Sequence, residues 1–201
     1  MPPFTQALII ANVLGFLLQM SFGNQMLIWF ALWPGGGSGL GALPLAAPWQ
    51  LVTYSLLHGD VFHILFNMFA VWMFGANLER VWGAKRMAFT YVSAVIAGAI
   101  AQLVVGAALG LGSGPVIGAS AGVFGILLAY ALMFPHARIM LLIPPIPLPA
   151  RVFVGLYAAL ELYLGVTGSQ SGVAHFAHLG GLLGGWLGYR YGGGMSGFRR
   201  R

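Results

Sequence analysis

The chain has 201 residues, of which 59% are hydrophobic and only 6% are charged. Soluble domains carry about 25% charged residues, so this composition excludes an ordinary soluble protein and predicts a polytopic membrane protein. The formal net charge is +6, but the basic residues lie in short connections between apolar segments, where they anchor topology, and we expect no nucleic-acid partner. The chain has no cysteine, which excludes disulfides, thiolate catalysis and cysteine-ligated metals.

Six apolar segments are long enough to cross a bilayer as helices. Their approximate bounds are 4–22, 61–78, 87–109, 118–134, 151–167 and 173–191. The first has no basic leader, so we expect a span and not a removed signal peptide. The sequence therefore predicts an all-α polytopic membrane protein, with a single membrane domain over residues 1–201.

The connection between the first two segments, residues 23–60, is rich in tryptophan, glycine and proline. It is too broken to span the membrane and too aromatic to lie free in water. We predict an interfacial hairpin or short helices there. The glycine-rich residues 110–115, before the fourth segment, are expected to dip inward beside a water-filled cavity.

The basic residues indicate one orientation. All nine fall in alternate connections or at the carboxyl end, which share one face if the chain crosses the membrane six times. The positive-inside rule then places that face and both termini in the cytoplasm. These residues are Arg80, Lys85, Arg86, Arg138, Arg151, Arg190, Arg199, Arg200 and Arg201.

Segments two, four and six then begin at the outer face, and each carries polar side chains near its start. His63 and Asn67 lie in the first two turns of segment two, Ser120 opens segment four, and His178 is about five residues into segment six. Such side chains are costly inside a membrane. Because they share one depth, we expect the four to meet.

These residue types permit acyl transfer. Ser120 supplies a hydroxyl and His178 a base that takes its proton. The free N–H groups at the start of the fourth helix can bind an oxyanion, with added donors from His63 and Asn67. Gly118 and Gly122 are expected to leave the backbone beside the nucleophile open to a substrate carbonyl.

The sequence offers no clear acidic residue to complete a catalytic triad. None of the three acidic residues, Asp60, Glu79 and Glu161, is an obvious partner for His178, so the sequence favours a Ser–His dyad. Glu161 can orient a histidine, but a helix-packing hydrogen bond is the favoured interpretation. His175 lies on nearly the same helix face as His178 and is the rival base.

Two glycines follow His178 at positions i+3 and i+7, namely Gly181 and Gly185. We interpret them as packing residues, because small residues let membrane helices approach closely. This face should bring segment six against the small residues Ala121 and Gly125 of segment four.

At these positions the chain resembles the rhomboid family of intramembrane serine proteases over nearly its whole length. Three patterns carry the resemblance, in order and on alternate segments. They are His58-x4-His63-x3-Asn67, Gly118-Ala119-Ser120-Ala121 and Ala177-His178-x2-Gly181-x3-Gly185. Two departures are Ala121, where the family often has glycine, and Gln50 after Trp49, where its loop often has arginine.

The resemblance implies a six-helix rhomboid-like bundle in its minimal bacterial-type form, in which residues 23–60 are a membrane-embedded loop. It implies that Ser120 is the nucleophile, that His178 is the general base, and that His63, Asn67 and the Ser120 backbone N–H bind the oxyanion. It also implies that Phe124 stacks on His178. No cofactor or metal is expected.

The implied partners are the lipid bilayer and single-pass transmembrane substrates, cut near the outer face of a membrane that we expect to be a bacterial inner membrane. Two other function classes stay open. One is a non-catalytic rhomboid-like protein that binds transmembrane clients. The other is a metal or ion transporter whose ligands are histidines. These are His58, His63, His175 and His178.

Overall fold

The computed structural model describes residues 1–34, 47–110, 114–140, 145–168 and 174–195, and within these the chain is mostly helical. Four ranges used in the sequence analysis fall wholly or partly outside them: the middle of the 23–60 connection, part of 110–115, residue 173 at the start of the sixth segment, and Arg199–Arg201. The helices are α1 (Pro3–Phe22), α2 (Asn24–Phe30), α3 (Gln50–Thr53), α4 (Val61–Ala70), α5 (Ala76–Trp82), α6 (Ala84–Leu109), α7 (Ser120–Met133), α8 (Ala150–Thr167) and α9 (His175–Tyr191).

A helix occupies each of the six predicted apolar segments. The second segment is longer than predicted, because a π-helical turn at Val71–Gly75 joins α4 to α5 and the helix continues to Trp82. Within the described residues, four helices are long and apolar enough to cross a membrane: Pro3–Phe22, Val61–Trp82, Ala84–Leu109 and Ala150–Thr167. The other two are short, with 14 residues in α7 and 17 in α9, against about 20 for a full span.

The core is formed where α6, α7 and α9 pack together at close range. A side chain on Gly181 would overlap the backbone of Ala121, and one on Gly185 would overlap the backbone of Gly125. The prediction that these two glycines are packing residues is therefore confirmed. On the other side of α9, a Cβ on Gly180 would lie 2.6 Å from the Cβ of Ala101. The absence of side chains is what lets α9 lie between α6 and α7.

The described parts of the 23–60 connection contain α2, α3 and a 3₁₀ turn at Tyr54–Leu56, in keeping with the short helices predicted there. Side chains tie these pieces together. The Trp49 indole donates to the Trp29 carbonyl at 2.8 Å, and the Gln50 amide donates to the Ile28 carbonyl at 3.2 Å. Gln50 thus fixes this region through the backbone, without the charge that arginine would bring.

A small hairpin between α7 and α8 was not predicted. Its strands are β1 (Arg138–Met140) and β2 (Pro147–Pro149), which pair antiparallel with Ile139 opposite Leu148. Strands of three residues carry too little periodicity to stand out in a sequence.

Candidate active site

The backbone before α7 is held in a conformation that favours glycine. Gly118 has φ +124°, and its N–H donates to the Tyr54 carbonyl at 3.0 Å. A Cβ at Gly118 would lie 2.8 Å from the His63 imidazole and 3.5 Å from the Ser120 hydroxyl. The chain turns at Gly118, and Ser120, two residues later, is the first residue of α7.

Ser120 and His178 lie in direct contact. The Nε2 atom of His178 is 2.8 Å from the Ser120 Oγ atom, a hydrogen-bond distance between a hydroxyl and a base. His178 is 9% exposed, and its ring stacks on Phe124 with centroids 4.4 Å apart and planes 7° from parallel. On the other face of Phe124 the Tyr157 ring lies 5.0 Å away, at 17°. The imidazole is therefore fixed both at its edge and on its face.

Oxyanion donors are available beside the hydroxyl. Among the described residues, no backbone partner accepts from the N–H groups of Ser120, Ala121 or Gly122, as is usual in the first turn of a helix. The His63 ring adjoins Gly118. Asn67 is buried, and its amide donates to the His63 carbonyl one turn earlier at 2.8 Å. The described hydrogen bond of Asn67 is therefore to its own helix, and its role as an oxyanion donor stays a prediction.

The expectation for Gly122 is wrong. A Cβ at this position would overlap the ring of Tyr91, which is buried on α6. Gly122 therefore makes room for the Tyr91 side chain and not for a substrate carbonyl. Ala119 is also fully buried, and its N–H points to the Nε2 atom of His58 at 3.5 Å.

The expectation that His178 has no acidic partner is also wrong. The Glu161 Oε2 atom on α8 lies 2.8 Å from His178 Nδ1 and 2.7 Å from His175 Nδ1. One carboxylate therefore contacts both histidines at the start of α9. The geometry also distinguishes the two rings, because His178 is the one described within hydrogen-bond distance of Ser120.

Comparison with known proteins identifies the family of the chain. A model of the Rhomboid domain matches residues 45–192, which include all of the candidate site. The chain belongs to the rhomboid family. It is 33% identical over 140 residues to Rhomboid protein 1, mitochondrial, of Saccharomyces cerevisiae, covering 69% of this chain and 40% of the relative.

Two bacterial relatives of this rhomboid are named as proteases. Rhomboid protease GluP of Bacillus subtilis is 29% identical over 190 residues, covering 92% of this chain and 34% of the relative. Rhomboid protease GlpG of Enterobacter sp. is 31% identical over 130 residues, covering 64% of this chain and 42% of the relative. The chain thus spans between a third and about two fifths of the length of these relatives.

The four histidines considered as transport ligands do not form one group in this rhomboid. The ligand atoms that lie within 4.8 Å of one another belong to Glu161, His175 and His178, whereas His58 packs against His63 with ring centroids 5.0 Å apart. Burial and the neighbouring His63 lower the pKa of His58 to about 4. Its ring is therefore neutral at pH 7, which suits packing in the fully buried position that it occupies.

Proposed function

We propose that this rhomboid is an intramembrane serine endopeptidase that hydrolyses peptide bonds of transmembrane proteins. The observation that carries the proposal is the 2.8 Å contact between Ser120 Oγ and His178 Nε2. A serine whose hydroxyl faces an imidazole base, at a helix start with free N–H groups, has the parts that acyl transfer requires. Kinship with relatives named as rhomboid proteases supports the same activity.

In the proposed reaction, His178 Nε2 takes the hydroxyl proton while Ser120 Oγ attacks the substrate carbonyl carbon. The resulting oxyanion accepts hydrogen bonds from the Ser120 backbone N–H, with His63 and Asn67 as further donors. His178 then gives its proton to the leaving amine, and the acyl-enzyme is hydrolysed by water that the same histidine activates. Every catalytic group in these steps belongs to this chain, and water is the second reactant.

The proposed topology has six crossings. In this topology α7 and α9 also cross the membrane. Both are short, but they pack in the core, where neighbouring helices surround them instead of lipid. The basic connections and both termini then face the cytoplasm, and Ser120 lies toward the outer face. We further propose that residues 1–201 act as one domain and that residues 23–60 are embedded in the membrane. The membrane is proposed to be a bacterial inner membrane, and the substrates to be single-pass proteins.

The test uses purified protein in detergent or lipid vesicles, with a fluorophosphonate probe and a transmembrane substrate. We expect the probe to label Ser120 and the substrate to be cut, and Ser120→Ala to abolish both. Ser21→Ala is the matched control, because its hydroxyl donates only to the Leu17 carbonyl of its own helix among the described residues. Cleavage by Ser120→Ala, labelling at another residue, or substrate binding without cleavage by the unaltered protein would each contradict the proposal.

A further inference from the structure

The carboxylate of Glu161 is shared by two imidazole rings in the core of the bundle. Its Oε2 atom lies 2.7 Å from His175 Nδ1 and 2.8 Å from His178 Nδ1. Glu161 is 5% exposed, and both histidines are buried. A buried carboxylate is costly unless its oxygens accept hydrogen bonds, and these two ring nitrogens are the partners that an ionised Glu161 has among the described residues.

The charge state of Glu161 decides the tautomer of each ring. An ionised carboxylate only accepts hydrogen bonds, so the ring nitrogen that faces it must carry the proton. With Glu161 ionised, His178 carries its proton on Nδ1, which leaves the lone pair of Nε2 directed at the Ser120 hydroxyl 2.8 Å away. That is the tautomer in which His178 can accept the hydroxyl proton.

Helix α8 is placed to deliver the carboxylate. Glu161 and Gly165 lie one turn apart on its buried face. A Cβ on Gly165 would lie 3.1 Å from the Cβ of His175, so the missing side chain lets the start of α9 approach α8 closely. One turn before Glu161, Tyr157 backs the Phe124 ring that stacks on His178. The same helix thus supports His178 at its Nδ1 edge and, through Phe124, on its face.

The same three residues are also a plausible set of metal ligands, but the distances favour direct hydrogen bonds. Two ligand atoms on one tetrahedral zinc ion, each about 2.0–2.1 Å from the metal, would lie about 3.3 Å apart. The carboxylate oxygen is at 2.7 and 2.8 Å from the two nitrogens, which are ordinary separations for N–H···O bonds.

We propose that Glu161 is a positioning residue for the reaction proposed above, on which this inference rests. Its carboxylate fixes the Nδ1–H tautomer and the ring orientation of His178, while His175, the second donor, holds the carboxylate in place. The dyad thereby becomes a relay of Ser120, His178 and Glu161 on three different helices. Glu161 stabilises the imidazolium that forms when His178 takes the proton, and it does not contact the substrate.

The principal variant is Glu161→Gln, which keeps the size of the side chain and removes its charge. The new amide N–H can donate to a bare Nδ1 of His178, which favours the tautomer whose Nε2 carries the proton and cannot act as a base. We expect kcat for a transmembrane substrate, and the rate of fluorophosphonate labelling of Ser120, to fall by about 10- to 1000-fold, with KM changed less than twofold. Glu161→Asp, which retains the charge on a shorter side chain, should recover part of kcat.

The matched control is Glu79→Gln, which alters the other buried glutamate of the described chain. Glu79 accepts hydrogen bonds from the Phe4 and Thr5 N–H groups at the start of α1 and not from the active-site histidines. Its variant should therefore lose stability, with kcat per folded molecule unchanged. Equal kcat in Glu161→Gln and the unaltered enzyme would overturn the relay. A fall in thermal stability and a raised KM at constant kcat would also overturn it, because they would mark a packing role.

A spectroscopic readout keeps the inference testable without turnover, or if Glu161→Gln does not fold. In protein labelled with ¹⁵N-histidine, ring nitrogen shifts report the tautomer, and the His178 signals are those lost in His178→Gln. We expect the Nδ1–H tautomer in the unaltered protein. The Nε2–H tautomer there would overturn the relay, as would stoichiometric zinc that is lost in Glu161→Gln. Failure of the unaltered protein to label or cleave would instead overturn the proposed function, whatever the tautomer.

Discussion

Two buried glutamates lie in this bundle, and their hydrogen-bond donors differ in kind. Glu79 is 3% exposed and accepts from the Phe4 N–H at 2.8 Å, the Thr5 N–H at 2.7 Å and the Thr5 hydroxyl at 2.6 Å. Glu161 is 5% exposed, and its Oε2 atom lies 2.7 Å and 2.8 Å from the Nδ1 atoms of His175 and His178, which are its proposed donors. Residue type and burial are nearly the same at the two positions.

The difference between the donors separates a structural role from a chemical one. The donors to Glu79 have one protonation state, and two of them are the free N–H groups at the start of α1, so this carboxylate acts as a helix cap from another segment. The donors to Glu161 are rings with a second nitrogen. Fixing one nitrogen of such a ring sets the state of the other, and for His178 that other nitrogen faces Ser120.

The largest effect should come from His178, one of the two histidines that Glu161 contacts. His178→Ala removes the ring that contacts the serine, so we expect labelling of Ser120 and substrate cleavage to fall at least 10³-fold. His175→Ala leaves the hydrogen bond between His178 and Glu161 in place, so most of the labelling should remain. The measurement is the rate of fluorophosphonate labelling for both variants at equal amounts of folded protein.

These variants also test which of the two histidines beside Glu161 is the base. If His175→Ala abolishes labelling while His178→Ala retains it, the roles of the two rings are the reverse of those proposed. Glu161 and Glu79 would then still differ in role, but the base that Glu161 orients would be His175.

At the other glutamate, Glu79→Ala should affect folding and not chemistry. The change leaves two N–H groups and one hydroxyl without their acceptor, and we expect a loss of roughly 2–4 kcal/mol of stability. Thr5→Val removes only the hydroxyl donor and should cost about 1 kcal/mol. Thermal unfolding in detergent measures both. A Glu79→Ala protein of unchanged stability but reduced kcat would remove the distinction between the two carboxylates.

Part of this arrangement is visible in the sequence. The lengths of the apolar segments and the polar connections between them predict a helix in each of the six segments. The matched depth of Ser120 and His178 predicts their contact. The glycine spacing after His178 predicts the close approach of α9 to α7. These features are local in the chain or repeat with the helix period, so one sequence is enough to reveal them.

The position of Glu161 also has a signal in the sequence. The polar residues expected to meet lie at the starts of segments two, four and six, whereas in the proposed topology α8 runs in the opposite direction and ends at the outer face. Glu161 lies six residues before the end of α8 at Thr167, or about 9 Å at 1.5 Å per residue. This depth matches that of His178, which lies about five residues, or roughly 8 Å, into segment six. By contrast, the filling of Gly122 by Tyr91 depends on helix rotation and could not be predicted from spacing.

The smallest effect should come from the glycine that lets Glu161 reach its histidines. In Gly165→Ala the new Cβ would lie 3.1 Å from the His175 Cβ and 3.2 Å from the Phe176 ring, so α8 and α9 must separate by a few tenths of an ångström. We expect kcat to fall about two- to tenfold, because such a shift lengthens the bonds to Glu161. Gly155→Ala is the control on the same helix, since no atom of the described residues lies within 4 Å of its Cβ. Both variants gain up to about 1 kcal/mol of helix propensity, so stability alone does not separate them and the ratio of their kcat values does. Equal kcat in the two variants would mean that the carboxylate acts without close packing of α8 on α9.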